Sequence, residues 1–302
     1  MMKPVLTLDN VKKTIKGKSI INGISFTVVE GEVFGFLGPN GAGKTTTIRM
    51  IVGLMEITEG DIVVCGKSIK KDFEGAVSNI GAIVENPEMY KFLSGYQNLL
   101  QYARMHKGIT KDKINEVVEL VGLTARIHDK VRTYSLGMRQ RLGLAQCLLH
   151  SPKLLILDEP TNGLDPAGIR EIRDHLRMLS REKGLSVIVS SHLLSEMEMM
   201  CDRIAIIQNG SLVDVQQVHD FVQNDTLLYT FETGNLGSAA IWLKEEYKAT
   251  MVEKGFTIEV GKTEIPALMK KLIQSDIDVY SATPISKSLE DRFLEITAGK
   301  GE

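Results

Sequence analysis

The chain has 302 residues, of which 43% are apolar, enough for one large or two modest domains with a substantial core. Its 36 basic and 38 acidic residues nearly balance, which argues against a general polyanion binder. Three scattered cysteines without C-x-x-C spacing suit a reducing compartment and give no disulfide framework or zinc site. No apolar run approaches the ~18–20 residues of a membrane span, so we expect a cytoplasmic protein that would reach a membrane only through a partner.

Short β-rich segments open the chain. Apolar residues at 5–8 and 20–26 are separated by turns at Lys16-Gly17-Lys18 and Asn22-Gly23, which predicts short strands. The continuous apolar run 33–37 is typical of a buried strand, and a further strand and turn are predicted at 61–66.

A phosphate-binding loop follows the strand at 33–37. Its residues are Gly38, Pro39, Asn40, Gly41, Ala42, Gly43, Lys44 and Thr45, with Thr46 next in the chain. This is a complete G-x-x-x-x-G-K-[ST] pattern, in which the glycines let successive N–H groups point at one anion. Lys44 would reach the β- and γ-phosphates, and the Thr45 hydroxyl would bind Mg²⁺. The helical spacing of the apolar residues after Thr46 places the phosphates at a helix N-terminus.

The next segments predict helices and then a parallel sheet. Residues 92–149 are mostly helical by pattern, with Gly122 as a helix stop. The short apolar runs 154–157 and 187–189 are typical of strands buried on both faces, with a helix over 166–183 between them. Residues 204–213 then resemble a hairpin around Asn209-Gly210.

The pattern changes after residue 218, which predicts a domain over 1–218 and a second, smaller α+β domain over 219–302. The second domain is predicted to have strands near 226–233, 251–260 and 277–283 and helices near 237–247, 264–275 and 288–298. No catalytic constellation is visible there. A role in dimerisation, regulation or docking to a partner stays open.

Two carboxylates follow the apolar run 154–157. Asp158 would hold Mg²⁺ through its waters, and Glu159 would act as general base toward the attacking water. Two ordinary acidic residues at a strand end are the alternative, but a complete phosphate loop in the same chain favours the catalytic interpretation.

Further motifs occur in a fixed order around these carboxylates. Tyr134-Ser135-Leu136-Gly137-Met138 precedes the strand at 154–157, Asn162-Gly163-Leu164-Asp165 follows it, and Ser190-Ser191-His192 follows the next strand. With the phosphate loop, this order resembles the nucleotide-binding domain of ATP-binding cassette (ABC) proteins. The resemblance implies a P-loop NTPase core of α/β class, with an antiparallel β subdomain and a helical subdomain.

The resemblance also implies ligands, partners and roles. ATP and Mg²⁺ would be bound by a head-to-tail dimer that holds two ATP molecules between its subunits. The signature residues Ser135, Leu136, Gly137 and Met138 would face the ATP of the other subunit. His192 would contact the γ-phosphate and the attacking water, and Asp165 would mediate communication across the dimer.

Three positions depart from the family's pattern. Leu136 replaces the first glycine of the signature. Glu85 stands where a Mg²⁺-contacting glutamine is usual, and it keeps an oxygen for the metal while adding charge. Ile15 takes the place of the aromatic residue that stacks on adenine, so it would pack on the base without stacking.

With these departures, the chain resembles the bacitracin, lantibiotic and multidrug export ATPases. The segment Ser288-Leu289-Glu290-Asp291-Arg292-Phe293 adds to this resemblance. Such proteins pair with a separate membrane subunit of several helices, which implies export and a position on the inner face of the membrane. Two alternatives stay open: a non-transport ABC ATPase acting on ribosomes or DNA, and a regulatory module without turnover. The chain has one cassette and no long inserted coiled coil, so we expect no nucleic-acid partner.

Overall fold

The structure is a computed structural model that describes residues 3–218, 226–237, 239–261 and 263–285. The chain divides into two compact units, Met1–Val218 and His219–Glu302. Within the described residues, none of the helices has the length and apolar character that crossing a membrane requires.

The first unit combines two sheets with helices. Its strands are β1 (Pro4–Ile15), β2 (Lys18–Val29), β3 (Val33–Leu37), β4 (Glu59–Val64), β5 (Lys67–Ser68), β6 (Ile80–Ile83), β7 (Leu154–Asp158), β8 (Ser186–Ser191), β9 (Arg203–Gln208) and β10 (Ser211–Gln217). Its helices are α1 (Lys44–Ile51), α2 (Phe73–Val77), α3 (Gly95–Met105), α4 (Lys111–Leu120), α5 (Leu136–Leu148), α6 (Pro166–Lys183) and α7 (Leu194–Met200). Two 3₁₀ turns, Thr124–Arg126 and Val131–Thr133, join α4 to α5.

The central sheet has six strands in the order β10-β9-β3-β8-β7-β6. All neighbours are parallel except β9 and β10, which form the predicted hairpin. Every residue of β3, β7 and β8 is buried, as expected for parallel strands covered on both faces. The register pairs Leu37 with Ser191 and Asp158 with Ser190, so the carboxyl ends of these three strands lie side by side. Ligands bind at this edge of an open α/β sheet.

The second sheet is antiparallel, in the order β2-β1-β4-β5. Its strands β1 and β2 are much longer than the short segments predicted from apolar runs. Register shifts between Leu8 and Val11, where Asn10 has a φ of 45°, break the alternation on which the prediction depended. The two sheets share one hydrophobic core, in which the rings of Phe26 and Phe34 stack with centroids 5.1 Å apart.

The helices of residues 92–149 begin at side-chain caps. Ser94 and Gln97 form a capping box at the start of α3, and Thr110 caps α4. Gly122, with a φ of 64°, lies just beyond α4 at the predicted helix stop. Ser135 caps α5 by accepting a hydrogen bond from the Met138 N–H at 3.2 Å.

The described residues of the second unit form a β-α-β-β-α-β arrangement, the order of ferredoxin-like folds. Its elements are β11 (Thr226–Thr233), α8 (Ala239–Tyr247), β12 (Thr250–Val252), β13 (Gly255–Gly261), α9 (Ile265–Gln274) and β14 (Val279–Ile285). The sheet is antiparallel in the order β12-β13-β11-β14. The strand predicted near 251–260 is in fact two strands of a hairpin, with Gly255 at a φ of 146° after the turn. The helix predicted near 288–298 lies outside the described residues.

Candidate functional site

The phosphate loop joins β3 to α1 at the carboxyl edge of the central sheet. A side chain would clash at two of its glycines. A Cβ at Gly38 would stand 2.4 Å from the Ile207 carbonyl oxygen. Gly43, the N-cap of α1, has a φ of 112°, and a Cβ there would stand 2.5 Å from Ile21 Cδ1. The first N–H groups of α1 have no intrahelical partner, so the loop presents an anion site at a helix N-terminus.

Lys44 is folded back onto this loop. Its side chain is 6% exposed, and its ammonium group donates hydrogen bonds to the carbonyl oxygens of Gly38 at 2.6 Å and Pro39 at 3.4 Å. The same ammonium lies 3.3 Å from Glu159 Oε1. The cation is therefore held at the mouth of the loop, next to the carboxylate predicted to be the general base.

Asp158, at the end of β7, lies against the phosphate loop. The Thr45 hydroxyl donates to Asp158 Oδ2 at 2.9 Å, and the Ser190 hydroxyl donates to Asp158 Oδ1 at 2.5 Å. The structure thus brings together Thr45 and Asp158, the two side chains predicted to hold Mg²⁺. Both supply hard oxygen ligands of the kind that Mg²⁺ prefers.

Glu159 has a backbone φ of 50°, unusual for a residue with a side chain. This conformation turns its carboxylate away from the sheet and toward the loop. The Glu159 N–H donates to the Ser190 hydroxyl oxygen at 3.0 Å, which fixes the turn. The carboxylate lies between Lys44 on one oxygen and His192 Nδ1 on the other, the latter at 2.8 Å.

These side chains line a cleft of about 300 Å³. The lining residues are Ile20, Pro39, Asn40, Gly41, Gly43, Lys44, Thr45, Thr46, Glu159, Asn162 and His192. Ala42, a residue of the loop itself, is buried. Ile15, predicted beside adenine, lies at the end of β1, 39% exposed, and is not among the residues that line the cleft. Ile20, on the neighbouring strand, does line it.

Glu85 has a different partner from the one predicted for it. Its carboxylate pairs with Arg49 of α1 at 2.5 Å, and both side chains are well exposed. Arg49 follows Thr45 by one helical turn, so this ion pair lies on the same helix as the predicted Mg²⁺ ligand. The assignment of Glu85 as a metal ligand stays a prediction.

The predicted signature lies at the start of α5, against the turn that carries Asp165. Leu136 Cδ2 approaches Gly163 so closely that a Cβ there would stand 3.2 Å away, and Leu164 packs toward Gly137. Asp165 caps α6 by accepting from the Gly168 N–H at 2.9 Å. Within one chain, therefore, the signature and the Asp165 turn form one packed surface.

Ser190 and Glu196 are residues of the site that sequence reasoning missed. Ser190 lies inside the motif that ends at His192, but the pattern drew attention to the histidine alone. Glu196 is a buried acid on α7, and no spacing in the sequence distinguishes it from the exposed Glu198 two residues later. Only the packing of β7, β8 and α7 shows what these two side chains contact: Ser190 bonds to Asp158, and Glu196 accepts from the Thr161 hydroxyl.

The chain resembles known proteins along its whole length. The family model described as "ABC transporter" matches residues 21–162. An uncharacterized ABC transporter ATP-binding protein, YhcH of Bacillus subtilis (strain 168), is 64% identical over 98% of this chain and 97% of its own length. The bacitracin transport ATP-binding protein BcrA of Bacillus licheniformis is 36% identical over 99% of each chain.

A solved structure has a similar fold over most of this chain. It is described as an ATP binding subunit of an ABC transporter and is 28% identical, with a TM-score of 0.64. The match covers 72% of this chain and 91% of that one.

Proposed function

We propose that this chain, which belongs to the family of ABC transporter ATP-binding proteins, energises the export of an antibiotic, peptide, drug or lipid-like molecule. It is the ATP-hydrolysing subunit of a transporter, and the exported molecule would cross the membrane through a separate multi-helix subunit. The observation that carries the catalytic part of the proposal is the convergence of Lys44, Glu159 and His192 at the mouth of the phosphate loop.

The proposed roles follow from the geometry of the cleft. The triphosphate binds to the loop from Gly38 to Thr46, whose N–H groups and Lys44 neutralise its charge. Thr45 and Asp158, already 2.9 Å apart, would hold Mg²⁺, which neutralises charge on the transferred phosphoryl group when it is bound. Glu85 would lie near this Mg²⁺ site, because its ion pair with Arg49 holds it beside the helix that carries Thr45.

Lys44 also explains how Glu159 becomes available as a base. In the structure the Lys44 ammonium is shared between the loop carbonyls and Glu159. An arriving triphosphate competes for that ammonium, because phosphate oxygens form strong charge-assisted hydrogen bonds. The Glu159 carboxylate then keeps its contact to His192 and is free to accept a proton from the attacking water.

The proposed active unit is a dimer of this chain. Ser135 is exposed and opens α5, so the helix start can face a phosphate of a second copy. Leu136, Gly137 and Met138 would complete this surface, and Asp165 would reach across the dimer. ATP binding would close the dimer, and hydrolysis would reopen it.

An exposed aromatic pair supports a protein partner at the membrane. Tyr90 and Phe92 are 53% and 68% exposed, with ring centroids 5.8 Å apart, on the segment that follows Glu85. Exposed aromatic surface of this kind marks binding sites in soluble proteins. We place the membrane subunit here, which would hold the chain on the inner face of the membrane.

The test is a detergent pull-down of tagged Glu159→Gln protein with ATP, followed by mass spectrometry. We expect one or two multi-helix membrane proteins at stoichiometric amounts, and much less of them with a Tyr90→Ser/Phe92→Ser double variant. Recovery of ribosomal proteins or DNA without a membrane protein would overturn the transporter proposal in favour of a non-transport ATPase.

A further inference from the structure

Glu196 is a buried carboxylate that two different turns of the site share. Its side chain is 7% exposed. Glu196 Oε2 accepts a hydrogen bond from the Thr161 hydroxyl at 2.5 Å and a longer one from the Ser191 hydroxyl at 3.4 Å. Among the described residues it forms no ion pair with lysine, arginine or histidine. Losing either hydroxyl donor would leave this buried carboxyl oxygen with one partner fewer, which is costly.

One of these donors belongs to the turn that carries His192. Ser191 is the last residue of β8 and is buried. Its hydroxyl oxygen accepts from the Leu193 N–H at 2.9 Å, which shapes the turn around His192. His192 in turn contacts Glu159. A shift of Glu196 would therefore act on the histidine through Ser191.

The other donor belongs to the turn that carries Asp165. Thr161 is buried, two residues after Glu159, and its carbonyl oxygen accepts from the Leu164 N–H at 3.1 Å. The next residue, Asp165, caps α6. Thr161 thus anchors the start of a turn whose other end packs on Leu136 and Gly137 of the signature.

We propose that Glu196 is a positioning residue that joins the His192 turn to the Asp165 turn. The presence or absence of the γ-phosphate at His192 would then change the position of the Asp165 turn, which faces the second subunit. The inference rests on the proposed dimeric ATPase. Glu196 is not among the residues that line the cleft. Its effect is on the relative position of the two turns, and through them on cooperation between the two ATP sites.

The experiment compares Glu196→Ala, Thr161→Val and Thr161→Ser with the matched control Glu198→Ala, an exposed acid on the same helix. Steady-state kinetics give kcat, KM and the dependence of rate on ATP concentration. Binding of a fluorescent ATP analogue to the isolated subunit gives nucleotide affinity. We expect Glu196→Ala and Thr161→Val to lower kcat about tenfold or more and to abolish ATP cooperativity. Analogue affinity should stay close to that of the control, whereas the melting temperature of Thr161→Val should fall, because the buried Glu196 carboxylate loses a hydroxyl donor.

Thr161→Ser restores the hydroxyl, so it should recover both kcat and cooperativity. A merely structural role would lower melting temperature without changing cooperativity in the folded fraction, and this result would overturn the inference. So would wild-type kinetics in both Glu196→Ala and Thr161→Val. If the wild-type and control proteins hydrolyse no ATP, the proposed function itself fails. That outcome is distinct from failure of the inference, because Glu196 is intact in both proteins.

Discussion

Ser190→Ala is the substitution whose effect the structure defines best. The Ser190 side chain is fully buried at the carboxyl end of β8. Its hydroxyl donates to Asp158 Oδ1 at 2.5 Å and accepts from the Glu159 N–H at 3.0 Å. The alanine variant removes both hydrogen bonds and leaves a buried carboxylate oxygen and a backbone donor without this partner.

The expected loss of stability follows from these two bonds. A hydrogen bond to a charged group contributes about 1.5–3 kcal/mol and a neutral one about 1 kcal/mol. The free energy of unfolding should therefore fall by about 2–4 kcal/mol. The kcat for ATP should fall at least about tenfold, because Asp158 and the strained turn of Glu159 lose their common anchor.

The matched control is Ser186→Ala, at the other end of the same strand. Ser186 is equally buried, donates to the Val29 carbonyl at 3.0 Å and accepts from the Gly31 N–H at 3.2 Å. Urea unfolding and steady-state ATPase assays on both variants separate stability from catalysis. Ser186→Ala should be destabilised with unchanged kcat, whereas Ser190→Ala should lose both. The reasoning is refuted if Ser190→Ala keeps wild-type kcat or is destabilised by less than about 0.5 kcal/mol.

Three further predictions concern titration, thiol reactivity and an ion pair. Burial lowers the pKa of His150 below its usual 6.5. As the pH falls, the unfolded state therefore binds a proton at this group first, so the stability from this group is present above pH 6.5 and is lost below it. His150→Gln should weaken the dependence of the free energy of unfolding on pH between pH 7 and 5. Burial raises the pKa of Cys147 to about 12. Alkylation of the native protein at pH 8 should therefore label the half-buried Cys65 well before Cys147. Labelling of Cys147 first, detected by mass spectrometry, would contradict this prediction. Glu85→Gln breaks an exposed ion pair, so it should change the free energy of unfolding by less than about 1 kcal/mol. The variant should also keep Mg²⁺-dependent ATP binding. Loss of that binding in equilibrium dialysis would show that the Glu85 carboxylate is essential for it.

Much of the nucleotide site could be predicted because its residues form contiguous patterns. The phosphate loop from Gly38 to Thr45 is set by the local need for positive φ and for close backbone approach, and the sequence shows both. The short apolar run at 154–157 identified β7 because a strand buried on both faces requires apolar side chains at every position. The resemblance to ABC proteins, drawn from these motifs, is confirmed by the relatives.

The parts that escaped prediction depend on contacts between distant segments. Ser190 and Glu196 make their contacts only when β7, β8 and α7 pack together, and no local pattern distinguishes either of them from its neighbours. The strand β1 was predicted too short because its register shifts near Asn10 interrupt the alternation of apolar residues. The β12–β13 hairpin was merged into one strand because its turn is only two residues long.

The central claim is that two copies of this chain close around ATP, and that Glu159 is the general base of the hydrolysis that reopens the dimer. The most direct measurement is analytical ultracentrifugation of Glu159→Gln protein with ATP and Mg²⁺, combined with a single-turnover hydrolysis assay. The account predicts an ATP-dependent dimer with little hydrolysis, and no dimer when Lys44→Ala is added. A Glu159→Gln protein that stays monomeric with ATP, or that hydrolyses it at the wild-type rate, would contradict the account.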